Sequence, residues 1–286
     1  DRVVLIVQNA RSLRRLGRQD EGIRVIDRAL QEHWEPEAEG RLRVERSFQL
    51  AHGRHRVSSH REAERALALL EGSGTISEAL ALRQLGVGYR LAGRQEDARE
   101  ALEKAVALSR SAGFALNEVT AISQLLQLDR QFDLEAIEAL YRQGLVAAER
   151  SGRPAALAVL QGQYAARMLW EGERDRAEEP LASASQTFRR MGLRTAADNL
   201  ACRRALAAAP EPSIPEARAA LGSLLDEVRR AQVSHYEGEL LAALAALHHL
   251  EGAHERAWDG YASALRRASE LGHQQACTLI EALNEL

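Results

Sequence analysis

Apolar residues recur along this chain at spacings of three and four, the period that lines one face of an α-helix. The stretch LGVGYRLAGRQEDAREALEKA, residues 85 to 105, shows the arrangement most plainly. Ala98, Leu102 and Ala105 fall on one helical stripe, and Gly93 before them breaks the pattern as a turn former. The arrangement returns when the sequence is compared with itself. Segments beginning at residues 3, 44, 79, 118, 158, 198 and 238 come into register, at steps of 41, 35, 39, 40, 40 and 40 residues.

Within these segments position 8 holds Ala10, Ala51, Gly86, Leu125, Ala165, Ala205 and Ala245, small in all but one. Position 15 is mostly a turn former, as at Gly17, Gly93, Gly172 and Gly252. Position 20 holds Gly22, Ala63, Ala98, Ile137, Ala177, Ala217 and Ala257, and position 24 is always bulky: Ile26, Leu67, Leu102, Tyr141, Leu181, Leu221 and Tyr261. Small residues at two of these places let two helices approach closely, and the bulky residue fills the gap to a neighbour. Glycine at position 15 supplies the left-handed backbone that ends the first helix. Acidic residues then open the second helix, as in GRQED (93–97) and GERDRAEE (172–179). Each segment is therefore predicted to be a helical hairpin that buries its apolar face only by stacking on its neighbours.

These residues resemble the tetratricopeptide repeat (TPR) family, with Leu85, Gly86, Tyr89, Gly93, Ala98, Leu102 and Ala105 at the offsets of its signature. The resemblance implies an all-α, right-handed superhelical solenoid of about seven hairpins over residues 1–286, closed by a capping helix after Gly272. The family's usual proline near the end of the repeat is absent, with Arg110 in its place in the best-matching segment. Steps near 40 residues imply lengthened second helices or connections, in the style of the sensor regions of MalT-like bacterial regulators. The proline cluster APEPSIPEA (209–217) reads as a long loop within one hairpin or a hinge between two subarrays.

Composition adds bounds. Hydrophobic residues at 45% and charged residues at 28% suit a folded, soluble chain, and a net charge of −3 gives no overall bias towards nucleic acid. The longest apolar run, residues 240–250, is too short to span a bilayer, and the N-terminus lacks the pattern of a signal peptide. Cys202 and Cys277, the only cysteines, read as reduced thiols of a cytoplasmic protein. Lys104 is the only lysine among many arginines, as codon bias in a GC-rich bacterial genome would produce. Starting at Asp1 and entering a helical pattern at once, the sequence reads as a segment of a longer chain or a processed one.

Candidate chemistry is sparse. His52, His55 and His60 lie close together but have no acidic partner nearby, so they read as surface or groove histidines rather than metal ligands. The pair His248–His249 with His254 matches no metalloprotease pattern. There is no phosphate-binding loop, no dinucleotide fingerprint and no nucleophile elbow, so neither catalysis nor a cofactor is expected.

What remains is the groove. In the family, the first helix of each hairpin lines a concave surface. Carried onto this sequence, the resemblance selects Gln8, Arg11, Arg14, Arg15, Gln49, His52, His55, Arg56, Arg83, Gln84 and Arg90, with Glu45 as the only acid. Further along it selects Ile122, Leu126, Leu169, Trp170, Leu206 and Leu247, which are apolar. A basic end suits an acidic or C-terminal peptide segment of a partner, or of the chain's own further domains, held by arginine–carboxylate pairs. The alternative is a small-ligand sensor or oligomerisation scaffold using the apolar end around Trp170. The family's chaperone-binding carboxylate clamp is not matched, because Val7 stands where it needs a polar residue.

Overall fold

The computed structural model describes residues 2–16, 18–52, 56–128, 132–192, 214–230 and 237–271. All regular structure among these residues is α-helical. The chain forms two compact units, residues 1–156 and 157–286.

The first unit runs α1 (Arg2–Arg15), α2 (Gln19–Ala29), α3 (Pro36–His52), α4 (Arg56–Leu70), α5 (Ile76–Leu91), α6 (Gln95–Ser111), α7 (Ala115–Leu125) and α8 (Leu134–Ser151). Each helix packs on the next, and the odd-numbered helices α1, α3, α5 and α7 also touch in succession. That second set of contacts makes the first helices of the four hairpins one contiguous row. The second unit carries most of α9 (Pro154–Trp170), then α10 (Arg174–Arg190), α11 (Ile214–Arg230), α12 (Glu237–Leu250) and α13 (His254–Leu271). Within it α11 packs on α12, and α12 on α13.

The small positions of the repeat sit where helices approach most closely. Ala10, Ala63, Ala98, Ala165, Ala177 and Ala245 are fully buried. Gly86 on α5 faces Leu102 on α6 so closely that a methyl group there would lie 2.5 Å from Leu102 Cγ. The bulky partners Ile26, Leu102 and Leu181 are fully enclosed. The steps of 39 and 40 residues carry long second helices, with 17, 18 and 17 residues in α6, α8 and α10, whereas the 41-residue first step has only 11 in α2 and a longer connection to α3.

Gly93 ends α5 with φ of +74°, a conformation that side chains strain to adopt. The Arg94 amide then donates to the Tyr89 carbonyl at 2.9 Å and the Gly93 amide to Arg90 at 3.1 Å. Together they satisfy carbonyls that the helix end would otherwise leave open. The next helix starts without a side-chain cap, and Glu96 and Asp97 in its first turn complement its dipole instead. Thr75 and Asp133 do cap α5 and α8, each accepting an amide from the helix's first turn. Four expectations lie outside the described residues: the capping helix after Gly272, Cys202 and Cys277, the first helix of the sixth hairpin, and Pro210 and Pro212 of the proline cluster. Pro215 falls in the first turn of α11, where its missing amide costs nothing.

Candidate functional site

The row of odd helices in the first unit carries a chain of arginine contacts. Arg11 and Arg14 on α1 both donate through Nε to the Glu45 carboxylate on α3, at 2.9 and 3.4 Å. Glu45 is 1% exposed, so it lies at the base of this pair. Arg14 also stands over the Phe48 ring at 5.5 Å, and Arg83 on α5 stands over the same ring at 4.9 Å. The aromatic ring thus lies against two guanidiniums, a favourable arrangement for its quadrupole. Arg83 Nε donates to Asn117 Oδ1 on α7 at 2.6 Å, and Arg90 Nη2 donates to Gln124 Oε1 at 3.4 Å.

These links share a geometry. Arg11–Glu45, Arg83–Asn117 and Arg90–Gln124 are each separated by 34 residues. That is short of the 41- and 39-residue steps between the segments involved. Each arginine therefore reaches back to an earlier position on the next odd helix, as expected where neighbouring first helices cross with an offset. Asn117 is itself buried and fixed by donating Nδ2 to Ser109 Oγ at 2.8 Å. Beside it, buried Glu118 accepts from Arg110 at 2.9 Å and from Arg150, tying α7 to α6 and α8.

Electrostatically the key group is Arg83. Burial, and then the like charge of Arg14, push its guanidinium down from its ordinary value to about 10. It remains a cation at neutral pH, but an uncomfortable one. No carboxylate pairs with it among the described residues; its partners are an amide oxygen and a ring face.

The residues singled out from the sequence fall into distinct settings. Arg11, Arg14, Arg83 and Arg90 are half-buried on the odd-helix row. Gln8 is exposed on α1. Gln49 is fully buried, donating Nε2 to the Ala10 carbonyl at 2.6 Å and to Glu45 at 3.1 Å, so it orients the acid instead of meeting solvent. Leu126 is 2% exposed, packed inside the first unit. Gln84 and Ile122 are likewise buried. The side chains of Arg15, His52 and Arg56, together with His55 and Leu206, lie outside the described residues. Trp170 closes α9 in the second unit, 72% exposed. Among the described residues no group of three or more His, Cys, Asp or Glu side chains is placed to hold a metal ion, and no helix is long and apolar enough to cross a membrane.

Phe48 and Asn117, both buried, support this arginine row although the sequence does not single them out. Phe48 lies one residue from a predicted groove position, and its scarcity as an aromatic was the available signal. Asn117 falls one residue before its segment begins, so the offset between helices hides it.

No protein-family model matches the sequence, and no curated protein matches it. Solved structures do. The apo form of RapI superposes with a TM-score of 0.72 at 10% identity, covering 94% of this chain and 100% of RapI. A Rap protein solved in complex with competence and sporulation factor gives a TM-score of 0.74 at 12% identity, covering 95% of this chain and 76% of its own. Aspartyl phosphate phosphatase F from Bacillus subtilis gives 0.67 at 11% identity, covering 95% and 70%. A signal-transduction ATPase (STAND) protein with a tetratricopeptide repeat sensor, from Pyrococcus horikoshii, gives 0.57 at 14% identity, covering 97% of this chain and 43% of that one. Paired helices, small residues at their crossings and these superpositions agree: the chain has the all-α fold of a tetratricopeptide-like helical repeat protein.

Proposed function

We propose that this chain is a protein- or peptide-binding module of a bacterial cytoplasmic regulator, and that the odd-helix row of the first unit holds a carboxylate-bearing segment of its partner. The observation that carries the reading is Arg83, a half-buried guanidinium with no carboxylate beside it among the described residues. An anion seated there would relieve both the desolvation and the repulsion from Arg14. Phe48 is buried against the two cations and holds them in place, so the row suits the acidic or C-terminal group of a peptide. The fold shared with Rap proteins and with a repeat sensor supports a regulatory setting. The role is binding rather than catalysis, and this segment does not itself contact nucleic acid.

The test is fluorescence anisotropy with labelled acidic-hydrophobic peptides, each as the free acid and as the C-terminal amide. Free-acid binding of about micromolar strength is expected. It should weaken as salt shortens the Debye length below about 8 Å. Arg83→Met, and separately Arg90→Glu, each on the odd-helix row, should reduce affinity. Undiminished binding by both variants would remove the odd-helix row as the site. A second reading, oligomerisation through the second unit, is favoured by Trp170 and Trp258, exposed at 72% and 65%. Light scattering of Trp170→Ala and Trp258→Ala decides it.

A further inference from the structure

A cleft in the first unit lies away from the residues assigned above. It encloses about 550 Å³, with α2 and α4 as walls and α3 as floor. The two walls present the same spacing. Asp20, Ile23, Arg24 and Asp27 on α2 are matched by Ser58, Arg61, Glu62 and Arg65 on α4, each set running i, i+3, i+4, i+7. Arg46 and Leu50, four residues apart on α3, form the floor.

The charges in this cleft divide into those already satisfied and those that are not. Glu62 is 2% exposed and collects Arg43, Arg46 and Arg65 at 3.2, 3.3 and 2.7 Å. Arg46 also donates to Asp27 at 2.7 Å. This network fixes the floor and one wall. Arg24 and Arg61, one from each wall, pair with no carboxylate among the described residues; Arg24 acts on Glu21 of its own helix only through space. Four guanidiniums against three carboxylates, Asp20, Asp27 and Glu62, leave the cleft an excess of one positive charge, with Arg24 and Arg61 the cations outside the network.

We infer that this cleft binds a small organic phosphate monoester, its dianion held between Arg24 and Arg61. Planar guanidiniums on opposite walls match phosphate oxygens bidentately. The volume exceeds what a bare ion needs and falls within the range of small-molecule sites, about 300–1,000 Å³. Ile23 and Leu50 give the organic portion an apolar contact, while Asp20 and Ser58 can meet its hydroxyl groups. The inference is independent of the peptide reading, since it uses none of the residues assigned to that site.

Isothermal titration calorimetry on the full chain, with glucose 6-phosphate, glycerol 3-phosphate and adenosine monophosphate as probes, tests it. Inorganic phosphate and glucose are the controls. At least one ester should bind at least about tenfold more tightly than inorganic phosphate, and Arg24→Ala with Arg61→Ala should weaken it at least about tenfold. Both residues are exposed, so the variant should fold. The charge-conserving Arg24→Lys with Arg61→Lys should show an intermediate loss, because the ammonium lacks the bidentate fork. Arg83→Met should leave ester binding unchanged. Failure of all three esters to bind, binding indifferent to both double variants, or loss caused by Arg83→Met instead would each overturn the inference. Inorganic phosphate binding as tightly as the esters would reduce the cleft to a simple anion site and overturn it too.

Discussion

Gly86 offers the sharpest test of the packing. A methyl group added there would sit 2.5 Å from Leu102 Cγ, 2.8 Å from Cδ2 and 3.2 Å from the Ala98 carbonyl oxygen. Carbon atoms attract best at separations of about 3.5–4.0 Å, so the overlap with Leu102 is about 1 Å. Leu102 is fully buried and has little room to retreat. Overpacking of this kind costs about 1–3 kcal/mol. Against it, replacing glycine by alanine inside a helix gains about 0.8–1 kcal/mol. Gly86→Ala should therefore destabilise by about 1 kcal/mol net, and Gly86→Leu by more, because its longer side chain meets the same wall. The decisive measurement is a double-mutant cycle. Leu102→Ala alone should cost about 2–5 kcal/mol by opening a cavity. In the double variant the methyl at 86 occupies part of that cavity, and its own clash disappears. The pair should then be less damaging than the sum of its parts by about 1–2 kcal/mol. Urea unfolding followed by the helical circular-dichroism signal reads these values. Additivity within about 0.5 kcal/mol would refute the contact and with it the assigned register.

Other outcomes follow from named groups. Glu45→Ala leaves Arg11 and Arg14 without their shared carboxylate; because both arginines reach solvent, a loss of about 1–3 kcal/mol is expected in urea unfolding. The same substitution should tighten binding of an acidic peptide in the anisotropy assay, since it frees two cations. Gly93→Ala meets no atom within 4 Å of the added carbon but must hold φ near +74°. It should cost about 1–2 kcal/mol from backbone strain alone, and Gly93→Asn less, as thermal melts can compare. Hydrogen bonding from Arg229, then attraction to Arg267, holds the Glu237 carboxyl below its ordinary 4.5. A depressed carboxylate stabilises the fold fully above that ordinary value and loses the contribution as pH falls through the depressed one. Acid titration of stability should therefore show a component below about pH 4.5 that Glu237→Gln abolishes.

The hairpins were legible because their causes are local. Helix period, a glycine that can turn left-handed and acids after the turn are properties of adjacent residues, so the boundaries at Gly93 and Gly172 follow from the sequence itself. Close approach was legible too, since Gly86 or Ala165 recur at one position of a repeat whose partner helix is the next in the chain. The arginine row was legible only in part. Arg11, Arg83 and Arg90 were identifiable from a repeat position, but what each touches was not. The contacts depend on how far one first helix slides along the next, and that offset is set by side-chain packing over the whole interface. This is why Gln49 and Leu126, surface residues by register, lie inside the packing, while Phe48 and Asn117 join the arginine row. Charge state was decided at the same level. Arg83 and Arg11 are identical as letters, yet one lies over a ring beside an amide and the other lies against a buried carboxylate. Only residues brought together from 34 positions away make that difference.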